Sequence, residues 1–480
     1  MNGYLATAAN PDGLADQGRS RQKLRHSATM RCVRLRHYLR NERPVRRKTG
    51  EITRTCNIAL HILLMAGITL ALFWGPFDGA HAASFKTIYN FAGGNDGEDP
   101  WAGVTAVKGK LYGTTVAGGA QDDGTVFSLD PGTGEETVLH SFCSQENCTD
   151  GASPEAGLIA ENGILYGTTE LGGGTGCGGN GCGTIFSIDP TTGTEKVLYT
   201  FCSRANCTDG QYPVADLIDV NATLYGTTML GGIVSCLGFG CGTVFSLDPA
   251  TGTEKVIYTF CSRANCTDGG TPIANLIDVN GTLYGTTIQG GANCHGRYQV
   301  GCGTVFSLDP DTGAEAVLYS FCSRANCADG AGPFAGLIPL KGKLYGTTWE
   351  GGENEHGTVF SLAPATGKEK VVYDFCEEQG DLRACPGGEV PYGWLIYSDG
   401  ILYGTTYLGG IALNSFNPGT GGTVFALDPS SGTETLLHSF GGGADGANPI
   451  AGLLDVKGTV WGTTQSGGAH GYGTIFSLVP

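Results

Sequence analysis

Leu165-Tyr166-Gly167-Thr168-Thr169 decides the fold of this chain, because the same phrase comes round six more times. It starts again at Leu111, Leu224, Leu283, Leu344 and Leu402, and returns as Val-Trp-Gly-Thr-Thr at Val460. The steps between starts are 54, 59, 59, 61, 58 and 58 residues. A fixed period of this size marks one supersecondary unit in array, whose apolar faces are buried only by stacking on neighbours. A chain of 480 residues would otherwise suggest two or three domains. The repeat implies one body instead.

Working outward from Leu165, the unit reads as four short strands. Pro154-Glu155-Ala156-Gly157-Leu158-Ile159 is an apolar run closed by a turn at Asn162-Gly163, before the strand Ile164–Thr169. A Gly-rich loop leads to Gly183-Thr184-Ile185-Phe186-Ser187-Ile188. The turn Asp189-Pro190-Thr191-Thr192-Gly193 leads to Lys196-Val197-Leu198-Tyr199-Thr200-Phe201. Each run is rich in β-branched and aromatic residues and bounded by Gly, Pro, Asn or Asp. Nothing between them has helical periodicity. Four antiparallel strands repeated seven times describe an all-β, seven-bladed β-propeller over residues 83–480. The chain enters with Phe85–Phe91, which matches the fourth strand of a unit, and leaves with Gly473–Leu478, which matches the third. The N-terminal strand is therefore expected to close the last blade, pairing both ends of the array.

The order of strands resembles the quinone-type and kelch-type propeller repeats. The wording, Leu-Tyr-Gly-Thr-Thr followed by Gly-Gly, Gly-Thr-Val-Phe-Ser-Leu-Asp-Pro and a strand ending in Phe, resembles the GloVer tandem repeat of exported bacterial proteins. The resemblance covers about residues 85–480. It implies a propeller and export, and it implies no activity.

The charge is divided. Residues 1–82 hold 13 Lys/Arg and 5 Asp/Glu, leaving 15 and 40 of the chain's 28 and 45, a formal −25 for the remainder. A body so acidic is a poor partner for nucleic acid or anionic lipid; it suits solubility, cationic ligands or metal ions. Residues 1–55 form a basic leader. Residues 56–82 read as a signal peptide, with an apolar run from Ile58 to Trp74 and Ala80-His81-Ala82 before the expected cleavage site. Seventeen residues are at the short limit for a retained anchor. The expectation is a secreted or periplasmic protein with no membrane attachment after cleavage.

Of 18 cysteines, sixteen fall in the repeat region as neighbouring pairs. Cys143/Cys148, Cys202/Cys207, Cys261/Cys266, Cys322/Cys327 and Cys376/Cys385 lie between a fourth strand and the next unit's first. Cys177/Cys182, Cys236/Cys241 and Cys294/Cys302 lie between second and third strands. The units that begin at Pro333 and Pro391 keep the pair before them but have none between second and third strands, so each pair stands alone. Eight intra-loop disulfides follow, and an even count in an exported chain agrees. Pairs separated by four residues, without a His or a second pair fixed nearby, match structural zinc sites less well. Both loop classes emerge on one face of an up-and-down blade, leaving the other face with minimal turns. Binding is expected on the looped face.

Candidate chemistry comes from two places. Asp96, Asp150, Asp209, Asp268, Asp329 and Asp445 recur before Gly, while the sixth unit carries Gly387-Gly388-Glu389. Asp-Gly is turn chemistry, but a ring of carboxylates is also what Ca²⁺ takes. Departures from the repeat are more telling. After the loop proline stand Trp101, Glu155, Val214, Ile273, Phe334, Tyr392 and Ile450, and two positions on, Gly gives way to Asp216, Asn275 and Trp394. Trp101, Phe334, Tyr392 and Trp394 are suited to stack on a sugar ring, with Asp216 and Asn275 to bond its hydroxyls. The competing reading is that they fill a narrow axis. His140 and His438 replace the Tyr of the fourth strand and are expected to be structural, whereas His295, His356 and His470 are expected as exposed loop histidines. No phosphate-binding loop, nucleophile elbow or zinc-protease motif is present, so no cofactor is expected, with Ca²⁺ on the aspartate ring as the alternative. The functional expectation is a binding module for a glycan or protein outside the cytoplasm. The alternative is a carbohydrate lyase or hydrolase acting at the central mouth.

Overall fold

The computed structural model describes residues 83–232, 240–293, 302–376, 385–410 and 421–480. The leader and signal peptide assigned to residues 1–82 lie outside the described residues. The described chain forms seven four-stranded antiparallel sheets. Blade two is made of Ile159–Glu161, Ile164–Thr169, Thr184–Ile188 and Glu195–Thr200. Its first strand is shorter than the apolar run that begins at Pro154. The residues Pro154–Leu158 pass along the axis outside the hydrogen-bonded ladder. Blade seven takes its outer strand, Ser84–Asn90, from the start of the array: Phe85 faces Leu478 and Lys86 faces Ser477. The expected closure is what the structure has. Among the described residues the helices are three-residue 3₁₀ turns, and no helix is long and apolar enough to cross a membrane.

The repeated phrase has a physical meaning at each letter. Gly167 pairs with Phe186 across the ladder, and a Cβ there would lie 2.7 Å from Phe186 Cζ, so only glycine lets the ring lie flat over the strand. The second threonine, Thr169, shares a hydrogen bond with Thr184 on the third strand at 2.9 Å, and all seven blades have the same pair. The first threonine reaches out of its blade. Thr114 Oγ1 donates to the Ala156 carbonyl of blade two at 2.8 Å, and Thr463 Oγ1 donates to Ala102 at 2.9 Å, which ties blade seven to blade one. These bonds satisfy hydroxyls that are buried, where an unpaired group would cost about 1–3 kcal/mol.

The core lies between blades. Phe201, at the end of a fourth strand, meets Phe245 of the next blade edge-to-face at 5.1 Å, and equivalent pairs run from Phe91–Phe127 to Phe440–Phe476. Every one of these rings is almost wholly buried. Edge-to-face geometry adds roughly 0.5–1.5 kcal/mol to burial alone. A bulge recurs between third and fourth strands, as between Ile185 and Phe186 in blade two. It sharpens the twist of the outer strand, whose end leads into the cysteine loop.

Candidate looped face and channel mouth

The cysteine loops are built around the recurring aspartates. Asp150 is fully buried, and its Oδ2 accepts from Ser144 N–H at 2.8 Å and Ser144 Oγ at 2.7 Å. Asp209 accepts from Ser203 N–H and from the Tyr199 hydroxyl, each at 2.9 Å. Asp268 and Asp329 repeat the pattern. The ring of carboxylates is thus turned into the loops it caps, which is the turn-forming role. His140 and His438 take the tyrosine's place and lie 3.4 Å from Asp150 and 3.3 Å from Asp445. Burial lowers the basicity of both imidazoles, opposed by the neighbouring aspartate.

Six disulfides close within their own loops as the spacing implies: Cys143–Cys148, Cys177–Cys182, Cys202–Cys207, Cys261–Cys266, Cys322–Cys327 and Cys376–Cys385. Cys236, Cys294 and His295 lie outside the described residues, while Cys241 and Cys302 are disulfide-bonded. So many disulfides fit an oxidising, extracytoplasmic environment. One feature escaped the sequence reading. Within a blade, the loop between second and third strands folds against the loop that follows the fourth, so Cys177, Cys182, Cys202 and Cys207 have sulfurs within 4.8 Å of one another. The second pair that spacing could not place is therefore adjacent.

At the axis, the three side chains that replace glycine are each received by glycine on a neighbouring blade. Asp216 Oδ1 accepts from Gly157 N–H at 2.6 Å. Trp394 lies over Gly452, where a Cβ would fall 2.1 Å from Trp394 Cε2, and Asn275 lies over Gly336. Large beside small fills the axis without collision. Asp216 is partly exposed, yet protein surrounds it closely. That desolvation pushes its carboxyl up to about 6, against the Gly157 hydrogen bond that favours the anion. Asn275 Oδ1 and Trp101 Nε1 are buried without a hydrogen-bond partner among the described residues.

Around this axis, the residue before each loop proline is left-handed, including Tyr212 at φ 58°, Thr271 at 56° and Val390 at 60°. For branched residues such a conformation costs of order 1–3 kcal/mol. Its carbonyl accepts from the residue after the repeated Thr-Thr, as Val390 does from Tyr407 N–H at 2.9 Å. This turn brings Trp349 and Tyr407 beside two rings singled out in the sequence. Phe334 and Tyr392 have centroids 4.4 Å apart, Trp349 stacks on Tyr392 at 5.8 Å and Tyr407 meets it edge-on at 5.3 Å. Burial raises the Tyr407 hydroxyl's pKa, and Asp99 adds to it. Trp101 makes no ring contact with this group. His356 lies in a loop, as expected, but half-buried and paired: Nδ1 is 2.6 Å from Glu389 Oε2, and that bond raises its basicity. His470 is exposed. Sequence reasoning missed Trp349 and Tyr407. The signal was present, since both break the column formed by Val116, Glu170, Met229, Ile288 and Gln465. Two clefts open on the opposite, turn face, one lined by Tyr284, Leu340 and Lys343, the other by Asp399, Asp455 and Pro480.

Among solved structures, the fold is similar to an oligogalacturonate lyase in complex with manganese, at 12% identity over 77% of this chain and 86% of that one, with a TM-score of 0.43. It is also similar to an oligogalacturonate lyase from Vibrio parahaemolyticus, at 12% identity over 83% of this chain and 97% of that one, TM-score 0.46. A chain of the nidogen/laminin complex matches at 14% identity over 59% of this chain and 83% of that one, TM-score 0.34. Likeness at this level concerns the fold alone. No curated protein matches the sequence. The model of the Gloeobacter/Verrucomicrobia repeat matches residues 77–299 and 240–414, and with the repeated phrase and its seven blades on view, the chain belongs to that repeat family.

Proposed function

We propose that this protein is an exported binding module that takes a carbohydrate-type ligand at the mouth of its looped face. The observation that carries this reading is the cluster of Phe334, Trp349, Tyr392 and Tyr407, partly exposed rings held at the axis by strained turns. Packing for its own sake does not call for aromatic rings at a solvent-facing rim, whereas a sugar ring stacks on them. The residues flanking each loop proline and following each Thr-Thr include Asp99, Glu155 and Glu170, with Asp216 three residues beyond Pro213, but no Lys, Arg or His. A neutral or amino sugar therefore suits the mouth better than an acidic one.

The test is a glycan array of neutral, amino and acidic sugars, screened with and without Ca²⁺. We expect retention of neutral or amino glycans, and a loss of at least about tenfold in affinity (roughly 1.4 kcal/mol) in Tyr392→Ala. Trp394→Ala with Asp216→Ala is expected to remove binding. Binding that ignores all three substitutions, or that maps to the turn face, would sink the proposal. A second reading, a carbohydrate-active enzyme, is favoured by one observation: a carboxyl on the axis raised to about 6 is poised for proton transfer. Product release from an array hit that is lost in Asp216→Asn would favour it.

A further inference from the structure

The residue immediately before the Gly-Thr of each third strand occupies one equivalent place in all seven blades. Its carbonyl accepts from the N–H of the residue before the next loop proline: Ser153 to Asp123, Tyr212 to Cys182, Thr271 to Cys241, Gly332 to Cys302, Val390 to His356, Asn448 to Gly421 and Asp99 to Tyr472. The side chains at this place divide cleanly. In the five blades whose following loop holds a cysteine pair, the residue is Asp, Cys, Cys, Cys or His. In the two blades with no such pair it is Gly or Tyr.

Disulfide bonding accounts for the three cysteines in this column. It does not account for Asp123 and His356, which cannot form such a bond, yet lie within 4.8 Å of both sulfurs of the neighbouring pair. Aspartate, cysteine and histidine are the residues that ligate zinc. Four sulfurs within 4.8 Å of one another also suit a tetrahedron with metal–sulfur bonds of about 2.3 Å. At His356, one ring nitrogen is already held by Glu389, which leaves the other as the ligand atom. Carboxylates commonly orient metal-binding histidines in this way.

We propose that, when its disulfides are opened, the cluster of Cys177, Cys182, Cys202 and Cys207 takes a zinc ion. Asp123 with Cys143 and Cys148, and His356 with Cys376 and Cys385, are mixed-ligand forms of the same site. Among the described residues every cysteine of these clusters is disulfide-bonded and offers no thiolate, so uptake of metal there is coupled to reduction. In blade two, two disulfides accept four electrons from two equivalents of a phosphine and four protons from two waters, whose oxygens leave on the phosphines as their oxides. Zinc then displaces the four thiol protons. The rim clusters therefore have two closed states, one held by sulfur–sulfur bonds and the other by metal.

The experiment uses the full chain, reduced under argon with a water-soluble phosphine, loaded with Zn²⁺ and desalted. Zinc per chain and alkylatable thiols are measured, and Co²⁺ is substituted to read thiolate-to-metal absorption. The oxidised chain is expected to retain no zinc and the reduced chain to retain it with its thiols protected. Cys182→Ser and His356→Ala are each expected to lower the content by one ion. A reduced chain that keeps no zinc, folded or not, overturns the proposal. So does zinc whose amount neither substitution changes.

Discussion

Blades two and seven are built from the same four strands and differ in how their ends are held. In blade two the outer strand runs without a break from the third, and a disulfide closes the loop at its far end. In blade seven the outer strand comes from the other end of the array, no cysteine flanks it, and Phe85 stacks on His438 at 3.7 Å where other blades have a glutamate. Yet the inner framework is the same. Thr169–Thr184 and Thr464–Thr474 are both 2.9 Å apart, and the ring pairs Phe142–Phe186 and Phe440–Phe476 are 5.1 and 5.3 Å apart. The ring of blades is thus carried by threonine and phenylalanine contacts. The disulfides hold loops.

Deleting residues 83–92 breaks the comparison most severely. Blade seven loses its outer strand, Phe91 leaves the blade-one interface, and the first and last strands no longer pair. We expect loss of cooperative melting followed by circular dichroism, an effect larger than that of any single substitution. An unchanged melting temperature would mean that the closure is dispensable.

A smaller effect sharpens it. Phe142→Ala and Phe440→Ala remove equivalent rings from a stapled and an unstapled interface. Each should cost about 3–5 kcal/mol by denaturant unfolding, and the two values should agree. A deficit confined to Phe440→Ala would show that the disulfide-linked blades compensate and that the loops stabilise the ring after all.

The smallest expected effect concerns pH. Glu195 begins the outer strand of blade two, and burial, with the charge of Asp150, pushes its carboxyl up to about 7; Glu434 is raised to about 7 by burial alone. The folded state therefore binds more protons than the unfolded one between about pH 4.5 and 7, and stability falls as pH rises through that window. Blade seven has Phe85 at this place and contributes nothing. Glu195→Gln should flatten part of the decline in melting temperature between pH 5 and 8, a window set by the raised carboxyls. An unaltered slope would place the pH dependence elsewhere. Glu254, Glu315 and Glu369 are also raised, each to about 7, but Arg204, Arg263 and Arg324 oppose the shift from 2.6–2.7 Å.

The array itself was legible at Leu165–Thr169, because period and alternation are properties of the chain. Seven returns of one phrase admit few closed arrangements. The closing strand was legible at Phe85–Phe91, since a fourth-strand pattern with no third strand before it must pair elsewhere. So were the intra-loop disulfides, because closure over six residues is a local matter. Tertiary structure decided what depends on distances between loops far apart in sequence. Spacing alone showed Cys177/Cys182 and Cys202/Cys207 as separate pairs, and the fold set all four sulfurs within 4.8 Å of one another. His356 read as a loop residue until the chain turned Glu389 against it. Trp349 and Tyr407 carry no motif of their own, and only the packed turns set their rings beside Tyr392. Local pattern determined the strands and their order. Only the packed ring, where each blade's loops lie against its neighbour's, could decide which side chains share a site.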